Sequence, residues 1–279
     1  MKIGNYTLYS VPAGHFKLDG GAMFGVVPKV LWSKSHPSDD LNRIEMVSRC
    51  LLIVGEGKVV LVNSGIGKYW GEKERSIYGI SDSVDLSRSL GELDYEPEDV
   101  THVIQTHLHF DHIGGSTEIR GQVRLPSFPN ALYYTQKKHY QWACNPSEKD
   151  RASFIADHWE CIVGNGRMRW VQGKKEILPG IYLHIVHGHT PYQQLPRITD
   201  GSSTLLFCSD LIPLASQVRI PWIMGYDLRP VVTVREKKEV LVKAAAHDWF
   251  LFFEHDPQYE MCKVAIKEEG FAVSAPLSL

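Results

Sequence analysis

Four side chains that can bind a metal ion lie within six residues, in the segment His107-Leu108-His109-Phe110-Asp111-His112. Neutral imidazole nitrogen and carboxylate oxygen both bind Zn²⁺ at about 2.0–2.2 Å, so the segment has the ligand types of a metal site. Because alternate residues of an extended chain point the same way, His107 and His109 can share one ion. If the chain turns at Phe110, Asp111 and His112 face a second ion. The spacing therefore predicts a site for two metal ions.

The elements that must position this segment are strands and helices in alternation. Apolar runs predict strands at residues 47–54, 59–62, 100–106, 131–134, 181–186, 204–208 and 249–253. Gly55-Glu56-Gly57 predicts a hairpin turn between the first two of them. Helices are expected at residues 73–78, 85–90, 135–143, 147–158 and 234–247, the last with a Thr-x-x-Glu capping box at Thr233 and Glu236.

Some predicted strands are apolar on both faces, as Leu205-Leu206-Phe207 is, which indicates sheets covered on both sides by other layers. Since no repeat or low-complexity linker divides the chain, we expect one α/β domain over residues 1–279. Within it we expect an N-terminal hairpin or lid segment at about residues 1–35. A helical insertion is expected at about residues 135–165.

The cluster at residues 107–112 resembles the His-x-His-x-Asp-His motif of the metallo-β-lactamase superfamily. Segments that resemble the family's later motifs follow in the same order, namely Gly188-His189-Thr190-Pro191, Phe207-Cys208-Ser209-Asp210 and Phe253-Glu254-His255-Asp256-Pro257. The resemblance implies a four-layer αββα sandwich in which helices flank two mixed β-sheets. It also implies seven metal ligands. One ion is held by His107, His109 and His189, a second by Asp111, His112 and His255, and Asp210 bridges the two.

Two positions depart from the family pattern. Asn63, in Val62-Asn63-Ser64-Gly65, stands where the family usually has an aspartate that supports the site, and we expect weaker orientation of the ligand histidines there. Tyr192-Gln193 follow Pro191 where Gly and His are common. Spacing alone also allows either His187 or His189 as the ligand, because both share a strand face. The family resemblance favours His189.

A pair of divalent ions, with zinc expected and manganese, iron or cobalt compatible with the ligands, can share a water and hold it as a bridging hydroxide at neutral pH. The predicted function is therefore hydrolysis, with an ester or lactone of a small molecule as substrate and a phosphodiester or phosphotriester as the alternative. His109 in place of Glu disfavours the di-iron redox branch of the family. A non-catalytic, metal-sensing protein is a third hypothesis, which the complete ligand set disfavours.

The layout is similar to that of N-acyl homoserine lactonases and organophosphate hydrolases of the family. Lactonases of the best-known kind have a tyrosine three residues after the bridging aspartate, where this chain has Pro213. Tyr226 is the candidate replacement, so the predicted catalytic residues are Asp111, Asp210 and Tyr226. The glycine-rich segment at residues 19–32 carries aromatic side chains, and we consider it either a lid over the metal site or a hairpin packed on a sheet.

Composition limits the partners. Thirty Lys and Arg residues against thirty-two Asp and Glu give a net charge of −2 without a long basic run, which disfavours nucleic-acid binding. The five scattered cysteines do not suggest a disulfide framework, and neither a signal peptide nor a long apolar segment is evident. We therefore expect a cytoplasmic protein with a small-molecule substrate and no membrane partner, with a homodimer as an open alternative to a monomer.

Overall fold

The computed structural model of the chain describes residues 1–81 and 83–279. Seven strands form the first sheet: β1 (Lys2–Ile3), β2 (Tyr6–Asp19), β3 (Arg43–Gly55), β4 (Lys58–Val62), β5 (His102–Ile104), β8 (Leu132–Gln136) and β9 (Met168–Val171). They are hydrogen-bonded in that order. Strands β4, β5, β8 and β9 are mutually parallel, so their carboxyl ends meet at one edge of the sheet.

Six strands form the second sheet: β10 (Lys175–Leu178), β11 (Ile181–Val186), β12 (Gln193–Thr199), β13 (Thr204–Phe207), β14 (Phe250–Phe252) and β15 (Met261–Cys262). Only the pair β13 and β14 is parallel. Two separate hairpins consist of β6 (Thr117–Arg120) with β7 (Val123–Pro126) and β16 (Val264–Lys267) with β17 (Gly270–Val273).

Most of the helices are short. They are α1 (Gly20–Phe24), α2 (Lys29–Trp32), α3 (Glu72–Tyr78), α4 (Leu86–Gly91), α5 (Phe110–Ile113), α6 (Lys137–Ala143), α7 (Glu160–Gly164) and α8 (Pro230–Ala246). Short 3₁₀ turns lie at Pro97–Asp99, Gly114–Ser116, Arg151–Ser153, Ala156–His158, Ser209–Leu211 and Ala215–Val218. None of the helices in the described ranges combines the length and the apolar character needed to cross a bilayer.

Alternating side chains on the strands build three apolar layers. Leu51 and Ile53 of β3 face the second sheet, whereas Cys50 and Leu52 of the same strand face helices α4, α6 and α7. On the second sheet, Leu205 and Phe207 face the first sheet and Leu206 faces α8. The fold is therefore a sandwich of two mixed sheets covered by helices, and the predicted fold class is confirmed.

The hairpin predicted at Gly55-Glu56-Gly57 is confirmed, since β3 and β4 pair antiparallel across Glu56 and Gly57. Both turn residues have positive φ, 52° and 66°, which suits the right-handed twist of the two strands. The hairpin delivers β4, and hence Asn63, to the edge of the sheet where the parallel strands end.

Three helix predictions are wrong in part. Residues 135 and 136, expected at the start of a helix, are the last two residues of β8, because they pair with β9, and α6 begins only at Lys137. Residues 147–158 contain two 3₁₀ turns and no α-helix. The capping box at Thr233 and Glu236 is absent, because α8 begins three residues earlier at Pro230, and the Glu236 carboxylate accepts hydrogen bonds from the backbone of residues 187 and 188 instead.

The N-terminal segment is anchored by aromatic packing. Phe24 stacks on Trp32 with ring centroids 5.3 Å apart, and its edge contacts Trp222 at 5.6 Å. Phe24 and Trp32 are buried, whereas Val26 is 89% exposed. The division of the chain into one domain with a lid segment and an insertion stays a prediction, and these contacts identify which side chains fix the segment to the rest of the molecule.

Helix α8 is held to the loop before it by a fully buried lysine. The Lys237 ammonium donates to the carbonyl oxygens of Gln217, Arg219 and Trp222 at 3.0, 3.1 and 2.7 Å. Replacing Lys237 with Met leaves these three carbonyls without their donor, so we expect the free energy of unfolding to fall by about 2 kcal/mol. Urea denaturation tests this.

The matched control is Lys238→Met on the exposed side of the same helix, which should change the free energy of unfolding by less than about 0.5 kcal/mol. A Lys237→Met variant as stable as the parent would show that burying the ammonium outweighs its three hydrogen bonds.

Candidate metal centre

The candidate metal centre lies at the edge of the sandwich where strands of both sheets end. Residues 107–112 follow β5, and the last of them begin the single turn of α5. His189 follows β11, Asp210 follows β13 and His255 follows β14. The chain thus brings together residues from four strand ends, and all seven predicted ligands are buried.

The first group consists of His107, His109, His189 and one oxygen of Asp210. His109 Nδ1 lies 3.1 Å from His107 Nε2 and 3.1 Å from His189 Nε2. Asp210 Oδ2 lies 3.1 Å from His189 Nε2 and 3.7 Å from His107 Nε2. Three imidazole nitrogens and a carboxylate oxygen therefore converge on one point, which is a donor set of the kind that holds zinc.

The second group consists of Asp111, His112 and His255. The Nε2 atoms of His112 and His255 lie 3.3 Å apart. Asp111 has one oxygen 3.6 Å from His112 Nε2 and the other 3.7 Å from His255 Nε2. Asp210 contributes here as well, because its Oδ1 lies 3.3 Å from both Nε2 atoms. The two oxygens of a single carboxylate thus face two different groups of ligand atoms.

Two buried atoms of the centre have no hydrogen-bond partner among the described residues, His109 Nε2 and Asp210 Oδ1. Buried polar atoms are almost always paired, so an orphaned carboxylate oxygen between two imidazoles indicates a site shaped for something other than protein. His109 turns Nδ1, and not Nε2, toward the first group. A cation beside Asp210 Oδ1 and the Nε2 atoms of His112 and His255 would satisfy the oxygen and remove the repulsion between the two nitrogen lone pairs. The residues present fit a divalent metal ion.

The imidazoles differ in basicity. Burial and the neighbouring imidazoles hold the pKa of His107 and of His109 well below the usual range. Burial also opposes protonation of His189, but Asp210 and Asp227 outweigh it and raise its pKa to about 9. The pKa of Asp210 stays far below the usual range in spite of burial, because His112 and His189 lie beside it.

The weaker histidine orientation expected from Asn63 needs correction, because Glu254 supplies the missing carboxylate. Glu254 Oε2 accepts from His112 Nδ1 at 2.9 Å, and the Asn63 amide donates to both Glu254 oxygens at 2.9 and 2.8 Å. Asn63 Oδ1 in turn accepts from the backbone N–H of Thr106 at 2.8 Å. A carboxylate that accepts from Nδ1 leaves Nε2 free to bind metal. Glu254 and Asn63 together orient His112.

Other ligands have comparable supports. His189 Nδ1 lies 3.1 Å from Asp227 Oδ1, and His255 Nδ1 donates to the Val47 carbonyl at 2.8 Å. Each support fixes one ring nitrogen and turns the other toward the centre. Glu254 and Asp227 were not among the residues predicted from the sequence. Glu254 had one usable signal, its position next to His255, whereas nothing in the sequence around Asp227 marks it.

Backbone geometry brings the loops close together. Gly188 lies against α8, where an added Cβ would stand 2.5 Å or less from atoms of Thr233. Three non-glycine residues beside the ligands have positive φ: Asn63 at 59°, Tyr192 at 61° and Ser209 at 43°. This left-handed region is unfavourable for residues with a Cβ, so the surrounding contacts must hold them there.

His187 and Tyr226 lie outside the two groups of candidate metal ligands. The ring of His187 contacts Tyr192 at 4.7 Å, and its Nδ1 accepts the Tyr192 N–H, so the structure brings His189 and not His187 into the centre. Tyr226 is 38% exposed and precedes Asp227, the support of His189. Burial and the nearby carboxylate of Asp111 raise the pKa of Tyr226, which keeps its hydroxyl protonated at neutral pH.

The sequence profile of the metallo-β-lactamase superfamily matches residues 43–255. Together with the sandwich fold and the buried histidine and aspartate cluster, this match shows that the chain belongs to the metallo-β-lactamase superfamily. It is similar to an N-acyl homoserine lactonase from a Bacillus species, with 27% identity over 272 residues that cover 92% of this chain and 96% of the relative.

Solved structures agree with this assignment. A probable metal-dependent hydrolase from Staphylococcus aureus superposes with a TM-score of 0.91 at 26% identity, and the match covers all of both chains. AidC, a dizinc quorum-quenching lactonase, superposes with a TM-score of 0.81 at 20% identity over 100% of this chain and 97% of its own, a likeness of fold. The chain is a metal-dependent hydrolase, and divalent metal is its cofactor.

Proposed function

We propose that this protein is a dinuclear hydrolase that opens the lactone ring, or cleaves another carboxylic ester, of a small molecule. The observation that carries the proposal is the position of Asp210, whose Oδ2 faces His107 and His189 while its Oδ1 faces His112 and His255. A carboxylate in this position suits a bridge between two ions. The other six predicted ligands divide equally between the two sides.

When bound, two divalent ions, with zinc expected, would lower the pKa of a shared water toward about 7 and polarise the substrate carbonyl. The protein's own residues supply the rest. Asp111 and Asp210 hold negative charge in a buried site, and the supports on His112 and His189 keep their rings in the orientation that binding requires. In this proposal the protonated hydroxyl of Tyr226 would donate a hydrogen bond to the substrate oxygen on which charge develops.

Apolar and aromatic side chains around the centre favour a substrate with an acyl chain. Phe154 packs against the ring of His109 at 4.7 Å, and Tyr78 packs against Phe110 at 4.9 Å. Such walls favour an acyl chain over a highly charged ligand. The similarity to N-acyl homoserine lactonases over nearly the whole chain supports the same substrate class.

A comparison of three substrates tests the proposal: N-hexanoyl homoserine lactone, p-nitrophenyl acetate and bis(p-nitrophenyl) phosphate, each at several concentrations with zinc-loaded protein. We expect the highest kcat/KM with the lactone, whose hydrolysis is measured by the release of protons. Mass spectrometry should find two equivalents of metal. Higher kcat/KM with the phosphodiester would favour a phosphoesterase. One equivalent of metal in a fully active protein would contradict the dinuclear site.

Metal affinity should depend on pH through His189. Its pKa is raised to about 9 in the metal-free protein, so at neutral pH a proton must leave before an ion can bind. Raising the pH from 6.5 to 7.5 should therefore strengthen zinc binding by at least about tenfold, since His189 alone releases about one proton per bound ion and each released proton changes the affinity about tenfold per pH unit. Competition with a zinc chelator, and proton release in weak buffer, measure this. An affinity independent of pH over this interval would show that His189 binds no proton there.

A further inference from the structure

A cleft of 440 Å³ lies on the outer face of the second sheet, beside the C-terminal part of α8. It is separate from the candidate metal centre. The N-terminal part of α8 touches the loop of His189 near Thr233, and Lys243 lies ten residues further along the helix, which corresponds to about 15 Å. Cationic side chains from three elements line the cleft, among them Lys174, Arg197 and Lys243.

Arg197 is the one of these three cations that packs against aromatic rings. On β12 its guanidinium carbon lies 5.0 Å from the centroid of the Tyr182 ring and 5.6 Å from that of Trp249, so the group is held between two aromatic faces. Over residues 1–81 and 83–279, its side-chain N–H groups have no hydrogen-bond or ion-pair partner. Stacking leaves the in-plane donors directed outward, which is the arrangement that binds an oxyanion with two parallel hydrogen bonds.

The protein balances the charge of the cleft only in part. The lining has four cationic side chains, Lys174, Lys175, Arg197 and Lys243, against one carboxylate, Glu176. Lys174 and Lys243 form no ion pair within the described part of the chain. The half-buried His184 stands among the cations, and burial together with Lys174, Lys243 and Arg197 lowers its pKa to about 4. A concentration of positive charge in a protein of net charge −2 is most readily stabilised by an anionic ligand.

We infer that this cleft binds the phosphate group of a small organic phosphate. The stacked Arg197 guanidinium would bind two phosphate oxygens, and the ammonium groups of Lys174 and Lys243 would neutralise the second charge of the dianion. A dianion matches this set of cations better than a single carboxylate does. The buried apolar side chains Leu206 and Val240, also in the lining, would contact the organic part of the ligand.

Phenylphosphonate is a suitable probe, because its P–C bond is not a hydrolysable ester. Binding to the metal-loaded protein is measured by isothermal titration calorimetry, with benzoate as the monoanionic comparison. We expect saturable binding that weakens at least tenfold in Arg197→Gln and in Lys243→Gln. Lys238→Gln, on the exposed side of α8 and outside the cleft, should bind like the parent.

Several results would overturn the inference. They are the absence of saturable binding, affinity for benzoate equal to that for phenylphosphonate, and unchanged affinity in both Arg197→Gln and Lys243→Gln. Binding that is lost in Asp210→Asn but kept in Lys243→Gln would place the probe at the metal centre instead. Lys243 is exposed, so its variant should fold even if the loss of the stacked Arg197 disturbs the sheet. Hydrolytic activity of Lys243→Gln toward the lactone should equal that of the parent.

Discussion

Asp210→Asn is expected to bind fewer than two equivalents of metal and to lose roughly 10³-fold in kcat/KM, equivalent to about 4 kcal/mol of barrier. Asp210 has one oxygen among His107 and His189 and the other among His112 and His255. An amide keeps the shape but removes the negative charge that both groups share, and its NH₂ cannot bind a cation. Metal content by mass spectrometry and lactone hydrolysis measure the two effects.

Asp40→Asn is the control, because Asp40 is exposed and distant in sequence from every predicted ligand. It should keep two equivalents of metal and full activity. If Asp210→Asn kept both, the bridging role would be wrong. Loss of one ion with retained activity would instead show that a single ion is enough for the reaction.

The second large effect concerns Glu254, which accepts from His112 Nδ1 and from the Asn63 amide. Glu254→Gln removes the negative charge that favours an N–H at His112 Nδ1. Metal affinity and activity should therefore each fall about 10–100-fold. Asn63→Asp alone should also be harmful, because it places a second carboxylate within about 3 Å of the first, where like charges raise a pKa and force one group to take a proton.

The double variant Asn63→Asp with Glu254→Gln restores one carboxylate and one amide in exchanged positions. We therefore expect it to recover at least tenfold in metal affinity over either single variant. Glu148→Gln, whose side chain is 93% exposed, serves as the control for loss of a carboxylate. Strictly additive losses in the double variant would show that the two residues act independently and that Glu254 is not the substitute for the missing aspartate.

The ligands at residues 107–112 could be predicted from their spacing in the sequence. The ligands that come later in the chain could not. The ligands within residues 107–112 lie at one strand end and in the helical turn that follows it. Over such a short segment, the spacing of residues shows which side chains face the same way. His189 and His255 lie far along the chain and outside any metal-binding cluster of the kind seen at residues 107–112, and only the family resemblance singled them out. Spacing left His187 and His189 equivalent, and the contact of His187 with Tyr192 separates them in the structure.

The supports of the ligands depend on contacts that no local pattern reveals. Glu254 acts on His112, which lies 142 positions earlier. Since His112 follows β5 of the first sheet and Glu254 follows β14 of the second, this contact depends on the packing of the two sheets rather than on neighbouring residues. The same kind of contact misled the helix prediction. Glu236 has the spacing of a capping residue, but the loop of His187 and Gly188 uses its carboxylate, and Pro230 determines where α8 begins.

The left-handed backbone at Asn63, Tyr192 and Ser209 lowers the stability of the protein and at the same time fixes the loops that carry the metal ligands. Each of these residues holds about 1 kcal/mol or more of conformational strain, which the rest of the fold must offset. Substitution of Tyr192 by glycine would relieve that strain and is expected to raise the melting temperature, but it would also loosen the loop beside His189. At Asn63 and Ser209 glycine would in addition remove buried side-chain hydrogen bonds, so the net gain in stability is smaller there. Thermal robustness and hydrolytic rate are therefore coupled at these positions, and engineering for one should be expected to lower the other.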